Sequence, residues 1–152
     1  MSKCIYHSII LFLLISTVTN CTMKEAKIDE SKVTVLSKQP KIDPDYIDIT
    51  IPPNIAPINF LIKEEGIEYF VKISSSNGES IELYSEISDI RIPKDPWKKL
   101  LNVNKGKKLT IEIYTKSQNG NWQKYKLINN VISEDKIDSH LAYRLIMPAH
   151  NY

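Results

Sequence analysis

A chain of 152 residues with 20 basic and 18 acidic side chains is long enough for one modest core. A charge this close to neutral, with both signs interspersed, excludes a nucleic-acid binder that works by bulk basicity. Both cysteines, Cys4 and Cys21, lie near the start, so the rest of the chain has no thiol for a disulfide, a metal cluster or a nucleophile.

The first element is an apolar run from Ile5 to Ile15, preceded by Lys3 and interrupted at its start by Tyr6, His7 and Ser8. Eleven residues are too few for a spanning helix, which needs about 20, and fit the apolar region of a signal peptide, typically about 7–15. Val18, Thr19 and Asn20 follow, and Cys21 stands next. Asn20 is larger than the usual residue before the cut. The order predicts a lipoprotein signal over residues 1–20, cleaved so that Cys21 becomes an N-terminal thiol carrying lipid. Each buried methylene adds about 0.8 kcal/mol of membrane affinity, so several acyl chains suffice to hold a domain of this size. Cleavage removes one lysine and no acid, leaving 19 basic against 18 acidic side chains. The expected location is the cell envelope, anchored to the outer membrane and facing the periplasm or the cell surface.

Residues 21–45 mix lysine, acids, serine and scattered aliphatics with Pro40 and Pro44, and no helix or strand period persists. They read as a flexible tether. Residues 46–148 read as strands. Ile47, Ile49 and Ile51 alternate with Asp48 and Thr50, and Ile67, Tyr69, Val71 and Ile73 alternate with Glu68, Phe70 and Lys72. Leu109, Ile111 and Ile113 alternate with Thr110, Glu112 and Tyr114, and Leu141, Tyr143, Leu145 and Met147 with Ala142, Arg144 and Ile146. Period two with one apolar face marks strands packed on a core from one side. Shorter strands are expected at 58–63, 80–84, 87–92 and 122–128. Asn77-Gly78 and Asn119-Gly120 carry the hairpin signature.

One short helix is expected over 95–101, with Asp95 as its cap and Pro96 in its first position. The whole predicts an all-β protein: an antiparallel, immunoglobulin-like β-sandwich with one short helix, preceded by a signal peptide and tether and followed by a tail over 149–152.

Chemistry is sparse. His7 leaves with the signal, while His140 and His150 stand apart with no ligand spacing around them. Asp43, Asp45 and Asp48 lack the glycine and the distal glutamate of a calcium loop. No nucleophile elbow or glycine-rich phosphate loop is present, so neither an enzyme, a metal site nor a cofactor is expected. Trp97, Trp122, Tyr114 and Tyr125 leave two readings open: an exposed aromatic platform for a glycan or peptide, or packing in the core and at its rim.

Three stretches carry a family resemblance. The first runs from Asp43-Pro44-Asp45-Tyr46 through Ile51-Pro52-Pro53-Asn54 to Pro57-Ile58-Asn59-Phe60. The second is Trp97-Lys98-Lys99-Leu100-Leu101 followed by Asn104-Lys105-Gly106. The third is Ile137-Asp138-Ser139-His140 through Tyr143-Arg144-Leu145-Ile146-Met147-Pro148. Over 46–148 the chain resembles the N-terminal domain of the TolB-like, or PD40, envelope lipoproteins of Gram-negative bacteria. In that family a Cys-x-x-Cys-His segment of the haem-attaching kind and propeller repeats come next. Neither is present here, so the resemblance implies a truncated member without haem or propeller. It implies a spacer or interaction domain with an envelope protein as partner, and no catalytic residue is carried over. The prolines Pro52, Pro53 and Pro57 suit a strand edge or crossover, with Asn54 and Asn59 expected to bond the local backbone they leave free.

Overall fold

The computed structural model describes residues 33–138 together with Ile28 and His140. Among the described residues, ten strands and one helix follow in chain order. They are β1 (Val33–Val35), β2 (Ile42–Asp43), β3 (Thr50–Ile51), β4 (Phe60–Ile62), β5 (Glu68–Ser74), β6 (Ile81–Ser85), β7 (Asp89–Ile90), α1 (Lys94–Val103), β8 (Lys108–Lys116), β9 (Trp122–Lys124) and β10 (Ile128–Ile132). The small sheet has the order β2-β4-β7, and the large one is built on β8, with β5 and then β6 on one side and β9 and β10 on the other. This is a two-sheet, sandwich-like all-β fold with a helix inserted between β7 and β8.

Period two explains the long strands. Tyr69, Val71 and Ile73 of β5 and Leu109, Ile111 and Ile113 of β8 are all buried between the sheets, with Phe60, Ile62, Ile90, Ile128 and Ile132 against them. Each such side chain contributes about 1.5–3 kcal/mol by leaving water. Both Asn-Gly pairs form the expected turns, Gly78 at φ 83° and Gly120 at φ 82°, a region that costs glycine nothing.

The strand expected over 122–128 is broken. Tyr114 pairs with Lys124 and Ile111 with Ile128, so Glu112 and Ile113 face Tyr125, Lys126 and Leu127. One extra residue makes a bulge, which turns Tyr125 inward and aims the Lys126 amide at Lys38 O, 3.0 Å away. The strand expected around Ile47 shrinks to Thr50–Ile51, because Asp48 sits at φ 54° and interrupts the extension. The last expected strand, at 141–147, lies outside the described residues.

Two corrections concern the leading segment. The expected tether over 21–45 is ordered from Val33 onward: β1 pairs parallel with β9, and β2 pairs with β4. Ile42 and Pro40 are buried, and the buried Glu64 carboxylate accepts from Lys38 Nζ at 2.5 Å and from the Lys41 amide at 3.0 Å. Because β3 also runs parallel to β10, the large sheet is mixed rather than purely antiparallel. Strands of two or three residues carry no period, so their pairing was not readable in advance.

Candidate functional site

Helix α1 begins one residue earlier than expected. Pro93 precedes it with no side-chain cap, and Asp95 lies in the first turn, where a carboxylate favours the positive end of the helix dipole. Its apolar stripe of Trp97, Leu100 and Leu101 turns into the core. The Trp97 indole N–H donates to Ile55 O at 3.3 Å, which ties the proline-rich crossover to the helix. At the other end Asn104 is fully buried and acts as a clamp. Its side-chain amide donates to Asn77 O at 2.7 Å and to Leu100 O at 2.8 Å, while its oxygen accepts from the Asn77 amide at 2.8 Å.

That clamp holds the β5–β6 hairpin against α1 and leaves a groove of about 730 Å³ between them. Buried Ile81 and Leu100 form its floor, and the exposed apolar surfaces of Pro93, Pro96 and Val103 its side. Glu79, Asp95 and Lys99, all exposed, stand at its margin. Ser80, Ile81 and Glu82 all line it. Consecutive strand residues point to opposite faces, so a groove touching all three runs along the edge of β6 rather than over one face. Among the described residues β6 pairs with β5 alone, which leaves that edge without a described partner strand.

The outer face of the large sheet is built differently. In register across it lie Tyr84, Phe70, Tyr114 and Lys124 in one row and Glu68, Lys116 and Trp122 in the next. Phe70 and Tyr114 meet edge to face, with centroids 5.5 Å apart. The Lys124 ammonium lies 5.1 Å from the Tyr114 centroid and bonds Glu112; Lys116 lies 5.7 Å from the Trp122 centroid and reaches both Glu68 oxygens, at 3.0 and 3.1 Å. Lys72 pairs with Glu82 at 3.0 Å. The hydrogen bond that Tyr84 donates to Glu68 pushes its phenol up to about 12. Burial lowers the Lys124 ammonium, but its bonds to Glu112 and Tyr114 outweigh that and raise it to about 12.

The four aromatic residues singled out in the sequence do not come together. Trp97 is in the core, and so is Tyr125, whose hydroxyl lies 3.4 Å from Thr115 Oγ1 under the Lys38 ammonium. Tyr114 and Trp122 share the outer face with Phe70 and Tyr84, which sequence reasoning passed over although both occupy the polar phase of their strands. Cys21 lies outside the described residues. Asn54 and Asn59 bond distant rather than local backbone: Asn54 exchanges two bonds with Ile137, at 2.9 and 3.0 Å, and Asn59 accepts from the Ile92 amide at 2.9 Å. Among the described residues no group of three or more His, Cys, Asp or Glu side chains is placed to hold a metal ion, and no helix is long and apolar enough to cross a membrane. No family model matches the chain, and no curated protein matches it.

Proposed function

We propose that this chain is a lipid-anchored, non-enzymatic interaction module of the cell envelope, held to the outer membrane through Cys21 and related to the leading domain of the TolB-like/PD40 lipoproteins. The apolar run ending at Cys21 supports the anchor. The observation that carries the interaction role is the apolar-floored groove beside a strand edge that is unpaired among the described residues, since both features are satisfied by another chain. Mass spectrometry of the protein extracted from membranes tests the anchor. A mature N-terminus at Cys21 bearing acyl chains is expected, with release of the Cys21→Ala variant from the membrane fraction. An unmodified N-terminus at another residue would overturn it.

Glycan binding is the second reading, supported by the partly exposed Trp122 on the outer face, where the neighbouring Tyr114 is itself buried. Fluorescence that changes with envelope glycans in the parent chain but not in Trp122→Phe would favour it. An unchanged signal in both removes it.

A further inference from the structure

The groove specifies more than a generic contact. Its floor is apolar, one wall is helix α1, and the opposite wall is the edge of β6 with backbone groups that no described strand takes up. A strand laid along that edge acquires main-chain hydrogen bonds, and its side chains then alternate between two environments. One set points toward Ile81, Leu100 and Val103. The other set points to the outer face, where Glu82 projects, and the exposed Glu79 stands at the groove margin just before β6. Glu82 already accepts from Lys72, whereas Glu79 and Asp95 form no ion pair among the described residues, against the single ammonium of Lys99 at the groove margin. The charge that completes this margin is positive.

We propose that the groove takes an extended peptide of alternating apolar and basic residues, added as a strand to β6 and supplied by a partner protein. The apolar positions fill the space against α1, and the basic positions face Glu79 and Glu82. A helix would not fit this description, because it satisfies its own backbone and leaves the β6 edge open. The proposal deepens the interaction reading and rests on it only in taking the partner to be a protein. Lipidation of Cys21 with no peptide binding would leave the anchor intact and remove this site.

The test uses the full-length chain in detergent and a fluorescein-labelled heptapeptide of alternating valine and lysine with neutral ends. Saturable anisotropy is expected, together with amide shifts confined to the β5–β6 turn, β6 and α1. Three comparisons are each expected to weaken binding by about tenfold or more: glutamate for lysine in the peptide, N-methylation along one edge of its backbone, and Val103→Arg in the protein. Val103 is half-exposed, so its substitution leaves the core untouched. The N-methylated peptide needs no protein variant at all. Equal binding of the N-methylated and parent peptides overturns strand addition, and equal binding by Val103→Arg overturns the location. No saturation up to about 1 mM overturns both. Contacts between Leu141–Met147 and the groove in the free chain would make the occupant internal and likewise overturn the partner.

Discussion

The outer face of the large sheet and the groove under α1 hold similar residues, yet they behave as opposites. On the outer face Lys116 meets Glu68, Lys124 meets Glu112, Lys72 meets Glu82 and Tyr84 donates to Glu68, all between strands held in register. Its rings lie beneath those ammonium groups. In the groove the apolar floor faces space, and among the described residues the strand edge has no partner strand and the two acids Glu79 and Asp95 at its margin have no ion pair. Composition does not separate a structural surface from a binding one. What separates them is whether each charge and each backbone group finds its partner within the chain.

Several perturbations would break or sharpen that contrast. The largest effect is expected from Trp97→Ala, which removes the buried ring that seats α1 and with it one wall of the groove. A loss of about 3–5 kcal/mol in urea unfolding is expected. Asn104→Ala should cost about 1–3 kcal/mol, because it takes the partner from the buried Leu100 carbonyl and from the partly buried backbone groups of Asn77. Its amide-exchange signature is specific: residues 74–80 and the last turn of α1 should exchange faster, while β8 and β10 stay protected.

Smaller again is the response of the leading segment to acid. Burial raises the Glu64 carboxyl, but its bonds to Lys38 and to the Lys41 amide outweigh this and hold it below its ordinary value of 4.5. A depressed carboxyl adds stability above its unfolded value and loses it as pH falls through the folded one. Exchange at residues 36–41 should therefore rise below about pH 4.5, and Glu64→Gln should remove that pH dependence. The smallest expected effect is on the outer face. Tyr84 should titrate near 12 rather than near 10, read by phenolate absorbance as the difference between the parent and Tyr84→Phe. Because the folded value is raised, the associated stability is present below about pH 10 and is lost between there and 12.

The long strands and the two Asn-Gly turns were legible because alternation and positive φ are local properties of the sequence. Leu109, Ile111 and Ile113 declare a buried face without reference to anything distant. The buried asparagine clamps, one of which shapes the groove, were not local. Asn104 reaches back 27 positions to Asn77, and Asn130 reaches Tyr46 and Ile49, 84 and 81 positions away. A lone asparagine in a sequence gives no sign that it will be buried as a clamp. The ordering of 33–45 was hidden for a related reason, since β1 and β2 are held by pairing with β9 and β4 rather than by any period of their own. Trp97 and Tyr125 show the limit for side chains. Their ring type left a ligand surface and core packing both open, and the helix stripe and the bulge decide for the core.

The contrast between the two surfaces can be tested where the protein works. A photo-crosslinking side chain placed at Val103, in the groove, is compared with one at Thr110, on the outer face, in the membrane-bound full-length chain. Adducts at position 103 and not at 110, mapped by mass spectrometry to a partner segment of alternating apolar and basic residues, are the predicted result. Adducts at position 110 with none at 103 would contradict it.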